Sequence, residues 1–327
     1  MQFPGRRQGA LPVGVIFDSD MGNGVEDVLA LGLLYGFAAR QEPLARVEFV
    51  SVSKSNLKAA ALCEVVHRFY YENGDPKPVG FPTDGKLPED TPVLTAPLAK
   101  QTADGKPAYE FQTQEIYHTA ALVPSLRNTL TEQDDDQNTV VVLTGPARNL
   151  VGLLDLKSAH GFIESKVKSL VVQAGAFPNG PGGFNISTDV QAAQRLFAEW
   201  PTPVIAVGEE VARELHYPAS SIESDFTWAT HHPILDAYRA HQPMPYDAPA
   251  GAMAAALYAV QPEEGYFEVS EPGTIRVAND GSTDFSASAG GKHRYLVLDP
   301  ARKERIVQAF VETMSAKPDP PQRRRFG

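Results

Sequence analysis

The sequence predicts an α/β fold: an open, mostly parallel central sheet flanked by helices, with a helical and β-rich C-terminal part. Two observations carry this expectation. Short apolar runs at 13–17, 47–52, 139–143, 167–172 and 203–207 are separated by segments with helical spacing. Several of these runs are apolar without alternation, as strands covered on both faces require.

The first strand, 13–17, runs into Asp18, Asp20, Glu26 and Asp27, spread over a turn that contains Gly22 and Gly24. Crowded carboxylates at a strand end repel one another and lose hydration, so they stay ionised only beside a cation or a set of donors. A hard, oxygen-seeking ion such as calcium is the simplest such partner. The helix that follows carries Glu26 and Asp27 in its first turn, where the helix dipole favours anions. A second strand, 47–53, leads through Lys54, Ser55 and Asn56 into a helix over 57–71, completing a β-α-β-α opening.

Residues 72–110 are rich in Pro, Gly and Asp and read as loops with one short strand near Lys77, a length more typical of a lid than of packing. A helix is expected over 113–130, closed by the acidic tract 132–136, which reads as a solvated turn. Residues 139–144 form a buried strand, and Gly145-Pro146 opens a helix with Pro in its favoured first position. Then follow a strand from Val167, a Gly/Pro/Asn loop over 178–183, a helix over 189–200 and a strand from Pro203. Helices over 211–216, 234–240 and 250–260, β-rich stretches over 265–277 and 293–298, and a last helix over 301–315 complete the chain. The organisation expected is a flexible start (1–11), one domain (12–316) and a charged tail (317–327).

With 327 residues a sizeable core is accessible. The 40 acidic against 29 basic side chains give a net charge of −11, which argues against DNA or RNA as partner and suits a small neutral or cationic ligand. The single cysteine, Cys63, excludes a disulfide framework and reads as a core thiol. No apolar run is long enough to span a membrane, and the N-terminal arginines are followed by no signal-like apolar stretch. Cytoplasmic location is the expectation, or export if a signal peptide has been removed. The histidines show no convincing zinc spacing, and Trp228, Tyr238 and Phe267 read as core rather than as a base-stacking platform.

In an open α/β sheet, ligands bind beyond the carboxyl ends of the strands. Four polar clusters fall there: 18–27, 54–56, Thr144 and 179–185. The first, Asp18-Ser-Asp20-Met-Gly22-Asn-Gly-Val-Glu26-Asp27, resembles the N-terminal aspartate motif of the inosine-uridine-preferring nucleoside hydrolases, in the variant with two extra residues in the turn. Leu143-Thr144-Gly145-Pro146-Ala-Arg-Asn149-Leu150 is similar to the family's Thr-Gly-Pro-Leu-Thr-Asn-Leu segment. Ala174-Gly-Ala-Phe with Phe184-Asn185-Ile resembles its Gly-Gly and Glu-Phe-Asn-Ile segments, and Tyr246-Asp247-Ala-Pro-Ala its His-Asp-Pro-x-Ala.

The resemblance implies calcium-dependent hydrolysis of the N-glycosidic bond of ribonucleosides. Asp20, Asp27, the Thr144 carbonyl and Asp247 would hold the metal, with Asp20 the base for a metal-bound water and Tyr246 at the leaving-group position. Glu26, Asn56, Asn179 and Asn185 would contact the ribose. From the residues alone, Asn56 reads equally as a helix N-cap and Asn179-Gly180 as a turn, whereas Asn185 between Phe184 and Ile186 demands a polar partner. The partner implied is a small ribonucleoside, with a homo-oligomer as the default assembly and neither a nucleic acid polymer nor a membrane.

This chain departs from the motif at Glu26, where aspartate is usual, at Gly24, at Gly183, where a glutamate precedes Phe-Asn, and at Tyr246, where histidine stands. A phenol is a poorer acid than imidazolium at neutral pH. These departures leave open a nucleoside- or ribose-binding relative with altered catalysis. A magnesium-dependent phosphatase, with Asp18 as nucleophile, is the third reading.

Overall fold

The computed structural model describes residues 11–71 and 76–320. The flexible start expected for 1–10 and the end of the charged tail, 321–327, lie outside the described residues. The tail's first residues are placed: the Asp319 N–H donates to the Ala39 carbonyl and the Asp319 carboxylate accepts from Gln41 Nε2 at 2.7 Å.

The opening is as expected. It comprises β1 (Val13–Ser19), α1 (Glu26–Ala38), β2 (Ala45–Val52) and α2 (Leu57–Tyr70). Helix α1 is buried along nearly its whole length rather than on one face, because α2, α11, α12 and α13, defined below, surround it. Its run Leu29-Ala-Leu-Gly-Leu-Leu-Tyr has no polar side to give to water.

Next come β3 (Gly80–Phe81), α3 (Pro92–Ala99), β4 (Ala120–Ala121), α4 (Leu122–Thr131), β5 (Thr139–Leu143), α5 (Arg148–Leu154), α6 (His160–Lys166) and β6 (Val167–Gln173). The helix expected over 113–130 is corrected to α4 alone. Residues 112–113 are claimed by Glu64 of α2, whose carboxylate accepts from the Gln112 and Thr113 N–H groups at 2.9 Å and from Thr113 Oγ1 at 2.7 Å. The region expected as loop likewise contains α3, started by Pro92 in a first-turn position.

The second half holds β7 (Asn179–Gly180), α7 (Gly183–Ser187), α8 (Val190–Glu199), β8 (Val204–Val207), α9 (Glu209–Glu214), β9 (His216–Tyr217), α10 (Ala219–Ser224) and α11 (Pro233–His241). The chain ends with β10 (Ala248–Pro249), α12 (Gly251–Val260), β11 (Glu268–Val269), β12 (Gly273–Val277), β13 (Thr283–Ala287), β14 (His293–Val297) and α13 (Lys303–Ser315). Cys63 is buried and free.

The large sheet runs β4-β3-β2-β1-β5-β6-β8-β14-β12-β13-β7, with β11 on β14. Pairing is parallel from β4 to β14 and antiparallel beyond, so the mostly parallel core and β-rich tail are one sheet. Strand order reverses direction at β1: the chain moves outward to β2 on one side, then returns to place β5 on the other. Such a reversal leaves a crevice at the carboxyl ends of the two strands where the connections part. Here the crevice falls between the ends of β1 and β5, at Asp20 and Thr144.

Candidate active site

β1 delivers Asp18, Ser19 and Asp20, and α1 returns Asp27 to the same place. Asp20 and Asp27 are 4% and 2% exposed, and their carboxyl groups hydrogen-bond to each other. Two such groups share a proton, because both cannot ionise side by side away from water. Burial, then the charges of Asp20 and Glu26, hold the Asp27 carboxyl well above the usual range. Burial raises Asp20 as well, but hydrogen bonds from Asn23 and Asp27 and the Lys54 charge oppose it. Thr144 Oγ1 donates to Asp27 Oδ1 at 2.6 Å, and Asn23 Nδ2 donates to Asp20 Oδ2 at 2.5 Å.

Glu26 lies on the neighbouring side, where its carboxylate accepts from Gln173 Nε2 at 3.1 Å and from the Ala252 N–H at the start of α12. Burial, with the charges of Asp20 and Glu209 adding to it, raises Glu26 to about 7. Glu209, at the start of α9, also bears on Gly183. That glycine has φ +73°, and a Cβ there would lie 2.5 Å from Glu209 Oε1. The glutamate expected at 183 is thus absent, and a carboxylate from another element stands in its space.

Asp18 is fully buried. Its Oδ2 accepts from Ser51 Oγ and from Asn149 Nδ2 at 2.7 Å, and the same Asn149 amide reaches the Val52 carbonyl at 3.0 Å, tying β1 and β2 to α5. A side chain so enclosed cannot meet a phosphoryl group, which removes the phosphatase reading. Burial raises Asp18 from 3.8 to about 7.

An acid raised on folding adds stability that is fully present below its unfolded value and lost as pH rises through its folded value, here between about 4 and 7. Buried His232, lowered to about 3, acts in the opposite sense, so the test is a difference. Between about pH 5 and pH 8, Asp18→Asn is expected to gain roughly 2–4 kcal/mol on the wild type in denaturant unfolding. A constant difference would refute the assignment.

The remaining expected residues divide. Asn185 joins the site, but its Nδ2 donates to the Thr144 carbonyl at 2.8 Å and the Gln173 carbonyl at 2.9 Å, so it ties β5 to β6. Asn56 proves to be the N-cap of α2, accepting from the Lys58 N–H at 2.9 Å. Its Nδ2 is committed to the Pro88 and Glu89 carbonyls and to Asp90. Asn179 is exposed in the edge strand β7, paired with Asp284 of β13, and stays apart from the acids.

Tyr246 stacks on Tyr238 with ring centroids 4.4 Å apart and donates to the Tyr238 carbonyl at 2.5 Å; burial pushes its phenol further up. Its hydroxyl is thus directed at the Tyr238 carbonyl. Asp247 is exposed, and its Oδ1 accepts from the Ala219 N–H at 2.8 Å, at the start of α10. The element that does face Glu26 at this end is the first turn of α12, Gly251 and Ala252, which carries no side-chain oxygen.

Sequence reasoning missed Lys54, Asn23, Gln173 and Glu209 as members of this site. Lys54 is 0% exposed, and its Nζ donates to Asn23 Oδ1. Burial lowers the ammonium pKa, and the charges of Asp20, Glu89, Asp27 and Asp90 raise it.

The family model described as inosine-uridine preferring nucleoside hydrolase matches residues 15–312. The chain belongs to this family. Its members are N-ribosyl hydrolases, and the fold agrees with solved nucleoside hydrolases. A plant nucleoside hydrolase superposes with TM-score 0.68 at 19% identity, covering 94% of this chain and 100% of that one. A purine-preferring ribonucleoside hydrolase from Gardnerella vaginalis gives 0.64 at 17%, covering 92% and 98%. The inosine-uridine preferring nucleoside hydrolase from Bacillus anthracis gives 0.63 at 16%, covering 93% and 99%. No curated protein matches this chain.

Set against the metal that the nucleoside hydrolase resemblance implies, the residues do not fit. Among the described residues no group of three or more His, Cys, Asp or Glu side chains is arranged to hold an ion. The expected third acid, Asp247, is engaged elsewhere, and the Thr144 carbonyl already accepts from Asn185. Calcium needs six to eight oxygens, several of them charged.

Proposed function

We propose that this protein hydrolyses the N-glycosidic bond of ribonucleosides, releasing ribose and a free base. The observation that carries the reading is the buried Asp20–Asp27 pair sharing one proton at the strand-order reversal, in a chain of this family. Asp20, ionised, is the base that takes a proton from the attacking water; Asp27, protonated, orients it through their mutual hydrogen bond. The carboxylates of Asp20 and Glu26 stabilise the positive charge that develops on the sugar ring as the bond to the base breaks. Gln173 and Asn185 hold the walls: Gln173 fixes Glu26, and Asn185 fixes the strand ends that carry Thr144 and Gln173.

The test is a panel of purine and pyrimidine ribonucleosides with an assay for reducing sugar. Release of ribose, detected as reducing sugar, is the expected result. A second reading is a relative in which nucleosides bind without turnover. Saturable heat of nucleoside binding in calorimetry, with no ribose released, would select it and reject the first.

A further inference from the structure

Three observations around Asp20 converge on the charge balance of this site, and they hold whether or not the protein turns over a nucleoside. First, Lys54, just beyond β2, is wholly buried although nothing in a strand exit requires a lysine, and its ammonium has been brought in to donate to Asn23 Oδ1. Second, Asn23 is polarised between unlike charges: its carbonyl oxygen accepts from Lys54 while its amide donates to Asp20 Oδ2 at 2.5 Å. An amide bridges in this direction only when the cation lies on its oxygen side and the anion on its nitrogen side. Third, the acid oxygens are already engaged within the protein: Asp20 and Asp27 bond to each other, Asn23 Nδ2 donates to Asp20 and Thr144 Oγ1 to Asp27, and the first turn of α12 adds no side-chain oxygen, only Gly251 and Ala252.

We infer that the Lys54 ammonium, relayed through Asn23, is the resident cation of this carboxylate site, and that the folded protein takes up no divalent ion between Asp20 and Asp27. A buried lysine is costly unless its charge is matched, and the groups facing it match it: Asp20 from the β1–α1 connection, Glu89 and Asp90 from the segment before α3. A divalent cation placed between the two aspartates would be repelled by that ammonium and would have to displace the Asn23 and Thr144 donors that already hold their oxygens.

The experiment uses the full chain stripped with chelator. Calorimetric titration with calcium and with magnesium is expected to give no saturable heat, elemental analysis no stoichiometric metal, and the melting temperature no shift on adding calcium. One bound calcium per chain with a calcium-dependent rise in melting temperature would overturn the inference, because a ligand of the native state must stabilise it. Lys54→Met is expected to lower the melting temperature at neutral pH and to gain a calcium-dependent rise that the wild type lacks, while Lys54→Arg keeps the wild-type indifference to calcium. A Lys54→Met protein as stable as the wild type would also overturn it. Should that variant fail to fold, Asn23→Leu, which cuts the relay while leaving the lysine, is expected to show the same gain of calcium response.

Discussion

Asp20→Asn is expected to lower kcat for ribose release by about 10²–10⁴-fold, the range assigned to a positioned proton acceptor, with KM nearly unchanged. The substitution is close to isosteric. Its amide oxygen can still accept from Asn23 Nδ2, so the turn keeps its shape while the proton acceptor and its negative charge are lost. The companion Asp27→Asn is expected to behave differently. If Asp27 carries the shared proton, an asparagine there still offers a donor to Asp20 and still accepts from Thr144 Oγ1. It should therefore cost no more than about tenfold. Steady-state rates of ribose release for the two variants decide the matter, with melting temperatures as the control for folding. Equal, large losses in both would assign the ionised role to Asp27 as well and undo the division of labour between them.

Gly22→Ala is expected to cost about 3–5 kcal/mol in denaturant unfolding. Two penalties add. The residue has φ +90°, where an L side chain is strained by about 1–3 kcal/mol, and its Cβ would lie 2.1 Å from Leu94 Cδ2. Leu94 is fully buried in α3 and cannot swing away, and Thr91 Oγ1, one turn earlier, already donates to the Gly22 carbonyl at 2.5 Å. The same turn carries Asp20 and Asn23, so activity should fall with stability. In the double variant with Leu94→Ala the steric part is relieved and the backbone part remains, so the two changes should cost less together than the sum of each alone. Strict additivity would show that the contact is not what makes alanine intolerable.

The sheet was legible because its strands are buried on both faces: 139–143 and 203–207 are short runs rich in β-branched residues, apolar without alternation and bounded by turn residues. The crevice was legible too, since polar residues crowd at strand ends only where something must be bound or balanced. What failed were inferences whose deciding partner lies far along the chain. Thr113 reads as the start of a helix until Glu64 is seen to hold it. Asp247 was placed by a short local pattern, yet the register of α12 brings Gly251 and Ala252 to the site instead. Asn56 carried both readings, and the 88–90 segment, which consumes its amide, settles it as a cap. Lys54 was placed at the binding edge only as part of the 54–56 cluster: a lysine after a strand ordinarily points to water, and only the fold shows this one enclosed.

The reversal of strand order at β1 also sets a schedule for the growing chain. The Thr144–Asp27 bond joins residues 117 apart, and the Asn149–Asp18 bond spans 131. Until residue 139 has emerged, β1 has a neighbour on one side only, and its acids lack the hydroxyl and amide that quiet them. A ribosome-bound first third of this protein is thus an unfinished edge carrying unbalanced charge, and productive folding waits for the middle of the message to be read.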